Sequence, residues 1–375
     1  GHFTKIPPWS QNGFRLLGSA SAMGSRTEVR FWKRPSAENS LTLITGSYDG
    51  TIKLWCLKTG DECSSHRAFS PLGTLPATEA NEDLSEAVMF ADMSKDGRHL
   101  VTAAYDGVAT VWCMWKTMAV ATLLGSHGGL YTGVFAPDGE HVLTASAGGV
   151  ACFWKWRTQK VCWLLHHQDD SYMRCATFSP DGRHIVTTSA DCSVRIWKMS
   201  DQHDEAPSLM RNLYGHWGWV NTAFFSPDGD LILSAAADKT ARLWCVQTGT
   251  CMKTFQGHYA YVRSAVFSSR SEYILTASSD WSAKLWSISS AECIRTYEGH
   301  EQWVNSANFV SEMEEEIVTC SRDCTARLWI TQTGECVRVF KGHTNFVMCS
   351  LVIGPRSWQA RRGRRISELR NGEAE

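Results

Sequence analysis

The chain has 375 residues, 43% of them hydrophobic, and a formal net charge of −1, which leaves no global field to draw nucleic acid or a membrane surface. It contains no apolar run of about 18 residues and no apolar signal core at its N-terminus, so neither a membrane span nor secretion is expected. Its length would suit two or three ordinary domains, or one all-β ring with a large core.

Residues 1–24 begin with Gly rather than Met, which suggests a processed chain, a trimmed one or a fragment. They read as an N-terminal extension in which Phe14–Ser19 is a candidate closing strand, and no heptad pattern appears there. Val29–Lys33, ending near Trp32, reads as the first strand of a first repeat, with the next strand starting at Leu41 and a tight turn at Tyr48-Asp49-Gly50. Residues 64–85 form an insertion rich in Ser, Pro, Ala and acids, either a partner-docking loop or a spacer. Further along, Asp96-Gly97, Asp138-Gly139, Asp181-Gly182 and Asp228-Gly229 mark short hairpin loops whose Gly permits positive φ. His99, His141 and His184 follow three of these turns. They sit in separate repeats, so surface positions are expected for them rather than a metal ring. A loop at Ser200–Ser208 with Asp201, Asp204 and Glu205, and an acidic turn at Glu312–Glu316, read as solvated rim charge.

The repeats share one frame, a Ser or Thr, an Asp four residues on, and a Trp six after that. The copies are Thr45-Asp49-Trp55, Thr102-Asp106-Trp112, Thr187-Asp191-Trp197, Ser234-Asp238-Trp244, Thr276-Asp280-Trp286 and Thr319-Asp323-Trp329. A seventh, Thr144 to Trp154, carries Gly148 in place of the Asp. The Trp-to-Trp steps are 57, 42, 43, 47, 42 and 43 residues, the long first step being explained by the insertion. Several copies open on a Gly-His pair, as at Gly215-His216.

A period of about 40–45 residues with four short strands marks a β-propeller blade. Over about residues 25–350 the chain resembles the WD40-repeat family. No Trp is followed by Asp, so the dipeptide that names the family is absent. The resemblance implies an all-β WD40-type propeller of seven four-stranded blades, with eight as the alternative. Residues 25–341 would form it, and 342–375 would be a partial eighth repeat and a basic tail. In that tail the pattern restarts at Gly342-His343-Thr344-Asn345-Phe346 and dissolves after about Ile353. Residues 346–353 could pair with 14–19 to help close the ring, or the chain could be part of a longer array. Arg361, Arg362, Arg364 and Arg365 carry only a weak signal for nucleic acid or nuclear sorting, and Arg364–Ser367 an equally weak one for a basophilic kinase.

The family resemblance further implies a hydrogen-bonded His–Ser/Thr–Asp–Trp set inside each blade. Carried over, the complete sets are His216/Ser234/Asp238/Trp244, His258/Thr276/Asp280/Trp286 and His300/Thr319/Asp323/Trp329. Repeats one and two lack the His, repeat three keeps His127 without the Asp, and repeat four has His166 and His167 out of register. The N-terminal half is therefore expected to be the less stable. The His-Asp pairs read as structural, since catalytic groups are seldom copied around a ring and buried polar groups need partners.

Eight of the fourteen cysteines recur at equivalent repeat positions, either following the motif Trp (Cys56, Cys113, Cys245) or opening the outer strand (Cys63, Cys162, Cys251, Cys293, Cys336). No CxxC pair exists. They read as reduced, mostly packed thiols of a cytoplasmic or nuclear protein. No nucleophile elbow, P-loop or metal motif is present, so no catalytic residue, cofactor or metal site is assigned and the chain does not read as an enzyme.

One position points to binding. Three residues after the His stand Trp219, Tyr261, Trp303 and Phe346, with Tyr172 at the matching place in repeat four and Trp217 and Tyr259 one residue after the His. They form either an arc of interaction aromatics on the top face or packing between blades. The residue before the tetrad Asp reaches the same face, which adds Tyr48, Tyr105 and Arg322. The expected function is a non-catalytic interaction scaffold or adaptor that takes protein or peptide partners on the top face and rim and belongs to a multiprotein complex. The alternative is the regulatory, ligand-sensing region of a larger NTPase or kinase.

Overall fold

The computed structural model describes residues 41–67 and 86–353, except 115, 117, 126, 127, 168–170, 201–204 and 312. The readings of Phe14–Ser19, Val29–Lys33, most of the insertion, His127 and the arginine tail lie outside the described residues. Among those described there is no helix, and so none long and apolar enough to cross a membrane. The described chain forms 28 strands in seven four-stranded antiparallel sheets, the blades of a seven-bladed propeller.

Burial falls across each blade, and the sequence of each strand follows it. The second strands, such as His99–Ala104, Leu231–Ala236 and Tyr273–Ser278, are nearly continuous apolar runs, because both of their faces are covered by neighbouring blades. The third strands are mostly buried with a few half-covered positions, as in Thr240–Cys245, where Arg242 and Cys245 are half-buried and the rest buried. The outer strands, such as Cys251–Gln256, are largely exposed. Six of the seven motif tryptophans are buried, each against the preceding blade. Trp244 packs with Val186, Ile196 and Leu213, and Trp286 with Leu233, Leu243 and Phe255. Trp112 is only partly buried, against Ile52 and Leu54.

Blades two to seven each take four consecutive strands, from the channel outward. Blade one does not. Its innermost strand is Val347–Ile353, which runs antiparallel to Thr42–Ser47 with Thr45 opposite Ser350. Two expectations are corrected here. The stretch read as a partial eighth repeat completes blade one, so there are seven blades and not eight. It pairs with 42–47 and holds the innermost place expected of Val29–Lys33, while the expected pairing with 14–19 lies outside the described residues. The reason is that this apolar run, once it joins the ring ends, gives blade one the same interfaces as the other blades. Trp55 packs against Phe340, Val318 and Leu328 of blade seven, as every other motif Trp packs on its predecessor. At the seam a Cβ on Gly46 would stand 2.7 Å from Val88 Cγ1 and 2.8 Å from Cys349 Sγ, so only Gly fits between the closing strand and blade two.

The hairpin turns at Gly97, Gly139, Gly182 and Gly229 have positive φ, as their sequence requires. They lie at one end of the blades. The Asp turns and the Gly-His segments lie at the other.

Candidate partner-binding face

The face is built on the tetrads. In blade five, His216 Nδ1 lies 2.6 Å from Asp238 Oδ2, His216 Nε2 lies 2.7 Å from Ser234 Oγ, and Trp244 Nε1 donates to Ser234 Oγ at 2.8 Å. A carboxylate only accepts, so Nδ1 carries the proton and Nε2 accepts from the hydroxyl. Blade six repeats this through His258, Thr276, Asp280 and Trp286, and blade seven through His300, Thr319, Asp323 and Trp329. The connectivity is that of a nucleophile–His–Asp relay, but the hydroxyls of Ser234, Thr276 and Thr319 are fully buried and already accept an indole N–H.

Two more tetrads stand where the sequence left a gap. Blade one takes its His from the far end of the chain: His343 Nε2 lies 2.8 Å from Thr45 Oγ1 and Nδ1 2.9 Å from Asp49 Oδ2, with Trp55 Nε1 on Thr45. In blade four His167 is in register after all, 2.8 Å from Thr187 Oγ1 and 3.5 Å from Asp191 Oδ2. The regular blades are thus one, four, five, six and seven, rather than the last three alone.

Blades two and three depart from the scheme. Trp112 Nε1 donates to Thr102 at 3.0 Å, but among the described residues Asp106 holds only its own turn, through Val108 N. Burial, reinforced by Glu86, pushes the Asp106 carboxyl up to about 6. Blade three carries Gly148 in place of the Asp yet keeps the bond from Trp154 Nε1 to Thr144 Oγ1 at 3.0 Å, and on its face toward blade four it stacks Phe153 on Trp163 at 4.3 Å and His141 on Phe153 at 4.7 Å. His141 is therefore buried, not on the surface as expected, with Nδ1 2.7 Å from Asp138 Oδ2. His99 is half-buried and packs on Trp156. His184 is also half-buried.

The tetrads also set the charges. Burial alone would raise Asp49, Asp191, Asp280 and Asp323, but hydrogen bonds from the His and the adjacent Ser or Thr outweigh it and hold these carboxyls below the usual range. Burial pushes the His258 and His300 imidazoles down, against the raising influence of their aspartates. Asp49, Asp238, Asp280 and Asp323 also receive the backbone N–H that follows the His, as in Tyr259 N to Asp280 at 3.0 Å, which fixes the entry into the inner strand.

Above the tetrads a second ring runs around the channel. In every blade the residue before the Asp position donates its N–H to the carbonyl just before the inner strand. The pairs are Tyr48–Phe346, Tyr105–Ala87, Ala147–Gly129, Ala190–Tyr172, Ala237–Trp219, Ser279–Tyr261 and Arg322–Trp303, at 2.8–2.9 Å. The two sets of residues singled out in the sequence are therefore hydrogen-bonded neighbours on one face. Tyr172, Trp219 and Tyr261 are about half exposed, Trp217 is 71% exposed and Tyr259 84%, and Tyr105 is also exposed. Trp303 and Phe346 are partly covered. The Arg322 guanidinium lies 4.1 Å from the Trp303 ring and 4.9 Å from that of Phe346, and Tyr48 packs on Phe346 at 5.8 Å.

The sequence reading missed Arg174, Arg263 and Tyr131. They occupy the second residue of the inner strands Met173–Phe178, Val262–Phe267 and Leu130–Phe135, where the other blades carry Met89, Asn221, Asn305 and Met348. For Arg263 the signal was available as an offset of five residues after the His, shared by Asn221, Asn305 and Met348, but Arg174 and Tyr131 do not keep that offset, and the position points into the channel only once the ring exists. These side chains line a channel cavity of about 450 Å³. Near the other end of the cavity lies Asp92, whose carboxylate accepts from Phe135 N at 2.9 Å and which burial pushes up to about 6. No group of three or more metal-ligating side chains occurs among the described residues. All fourteen cysteines are unbridged, four buried and two (Cys251, Cys293) exposed, and burial pushes the Cys152, Cys175 and Cys349 thiols up to about 12.

A ring of seven four-stranded blades, pinned by repeated His–Ser/Thr–Asp–Trp networks, defines a WD40-type propeller. The chain matches the family model described as "WD domain, G-beta repeat" over residues 34–56, 69–113, 159–198, 207–245, 249–287 and 291–329, more than half its length, and it belongs to that family. The stretch left unmatched between the second and third of these segments contains the repeat with Gly148. No curated protein matches the chain.

Proposed function

We propose that the protein is a non-catalytic interaction scaffold or adaptor within a multiprotein complex, and that it holds a protein or peptide partner on the face carrying the Asp turns. The supporting observation is the arc of Tyr172, Trp217, Trp219, Tyr259 and Tyr261 across three consecutive blades, large aromatics left exposed on one face of a fold generally used for protein interaction. Blade packing alone does not require rings this exposed. The buried tetrad hydroxyls argue against hydrolytic chemistry at the relay-like geometry of the tetrads. Two exposed, unbridged cysteines favour a reducing compartment, cytoplasmic or nuclear.

The test is a quantitative affinity capture from native lysate, comparing wild type with a Trp219→Ala/Tyr261→Ala variant shown to be folded. Specific proteins lost from the variant identify the docking face. An unchanged set of captured proteins overturns the assignment.

A further inference from the structure

Three guanidinium groups gather at the channel mouth on the aromatic face. Arg263 and Arg322 pack on the same indole, with Cζ 4.5 Å and 4.1 Å from the Trp303 ring. Arg174 lines the same channel as Arg263 and packs on Tyr131 at 4.6 Å, which in turn meets Tyr105 at 6.1 Å. Among the described residues no carboxylate pairs with any of the three. Their side chains are half-buried, so the charge is neither neutralised nor fully hydrated.

Few of their donors are used. Arg174 gives one N–H to Asn221 Oδ1 at 3.1 Å, and Arg263 gives Nε–H to Ser279 Oγ at 2.8 Å. Arg322 Nε is buried without a partner. Single unpaired guanidinium nitrogens also occur elsewhere, at Arg195, Arg211, Arg242, Arg327 and Arg338, but Arg195 meets Asp191 and Arg338 meets the Thr59 and Lys58 carbonyls; what sets the mouth apart is that three guanidinium groups without a carboxylate converge there. Burial and then the nearby Arg322 and Arg174 bring Arg263 down to about 10, the sign of a cluster in which each cation opposes the next. The aromatic rings fix the planes of the guanidinium groups and leave their edges for a planar or tetrahedral oxyanion, the ligand geometry to which an Arg fork is matched.

We propose that this mouth anchors an oxyanion-bearing side chain of a partner peptide, a phosphorylated residue or a carboxylate, with Arg174, Arg263 and Arg322 as its ligands and Trp303, Phe346, Tyr48 and Tyr131 as its walls. The inference rests on the reading of this face as a docking surface and names the chemistry of what docks there. The anchor residue enters the mouth, while the exposed aromatics of blades four to six are left for the flanking peptide.

The test uses the full chain and three fluorescent peptide libraries, alike except for a central phosphoserine, glutamate or serine, with binding read by polarisation at two salt concentrations. Inorganic phosphate and a single-stranded oligonucleotide serve as competitors. The expected result is binding of the phosphoserine or the glutamate library at least about tenfold tighter than the serine library, weakened at high salt. Whichever of the two binds better identifies the source of the oxyanion. Arg263→Gln and Arg322→Gln should each lose most of this preference, and Arg322→Lys should restore part of it by keeping the charge without the fork. Equal binding of all three libraries, or a preference that survives in both Gln variants, overturns the proposal. So does an oligonucleotide that outcompetes every peptide, or binding of inorganic phosphate alone. If the Gln variants still capture the lysate proteins that depend on Trp219 and Tyr261, the docking face stands and only the anion site falls. If the Trp219→Ala/Tyr261→Ala variant captures everything the wild type does, the docking reading falls by itself.

Discussion

His343 holds Asp49, a residue 294 positions earlier, through a 2.9 Å contact between Nδ1 and Oδ2. The same imidazole reaches Thr45 and so the Trp55 indole, which makes one network the lock between the first and last described strands of the ring. His343→Ala removes both bonds and leaves a buried hydroxyl and a carboxylate short of a partner. We expect a loss of about 1–3 kcal/mol in unfolding free energy. The loss should be local at first. Hydrogen exchange in 42–47 and 347–353 should accelerate while that in 262–267 stays protected. Uniform acceleration around the ring would show that closure does not depend on this tetrad.

The hydroxyl is the hub of each tetrad, and its worth depends on what it serves. Thr276 accepts from Trp286 and donates to His258, both buried. Thr102 serves only the partly buried Trp112 and a more distant carbonyl. Thr276→Val keeps the shape and strands two buried groups, so it should cost about 2–4 kcal/mol. Thr102→Val should cost about 1 kcal/mol or less, because the Trp112 edge is nearer water. Urea unfolding midpoints of the two variants test the difference, and equal costs would refute the hub role.

The repeat frame was legible because it is local: Ser or Thr, Asp and Trp lie within ten residues of one another, on two neighbouring strands. The seam was not. Nothing local connects Gly342-His343 with Asp49, so the closing strand looked like a truncated repeat, and His343 looked like the start of an eighth blade. His167 was misplaced for a related reason, since two extra residues separate it from its inner strand and break a count that works in the other blades. The channel arginines escaped notice because Arg174 and Arg263 share a position with Met, Asn and Tyr in other blades. Their meaning depends on convergence in space, not on a repeated residue type. The stacking of Arg322 on Trp303 and Phe346 joins two residues flagged separately on the sequence, and only the fold shows them as one feature.

Acid should weaken the ring. Asp49, Asp191, Asp280 and Asp323 are held below their unfolded values, so the stability they contribute is complete above about pH 4 and is lost as pH falls through the folded values. His258 and His300 are depressed as well, so their contribution begins to fade as pH drops below about 6.5. Asp106 has the opposite sign. Its folded value is raised to about 6, so its favourable state is the protonated one, and the penalty for its charge appears as pH rises through about 6. Asp106→Asn keeps the Oδ1 acceptor for Val108 N and removes the charge. It should therefore stabilise the protein at pH 7.5 by about 1 kcal/mol, a figure already reduced for a partly exposed site, and do nothing near pH 4. Thermal midpoints of both proteins across this range decide the matter, and a gain that does not change with pH would sink the account.

Blade three keeps its Trp154–Thr144 bond and adds an aromatic column on the opposite face of the sheet, and the Trp163 indole in that column should behave unlike the motif tryptophans. Trp163 stacks on Phe153 with the rings 8° from parallel, and its Nε1 is buried with no acceptor among the described residues. The ring contributes area and stacking, while the N–H is desolvated without return. Trp163→Phe keeps most of the stack and removes the unmatched donor, so the transfer and donor contributions oppose each other and the net change should stay within about 1 kcal/mol. In Trp286→Phe the lost N–H was bonded to Thr276, and the smaller ring leaves a void beside Phe255, so both contributions destabilise and the cost should reach about 2–4 kcal/mol. Denaturant unfolding of the pair measures this contrast. A Trp163→Phe loss as large as that of Trp286→Phe would mean that the Trp163 indole is matched by a partner after all, and that its column depends on polar contacts as much as the tetrads do.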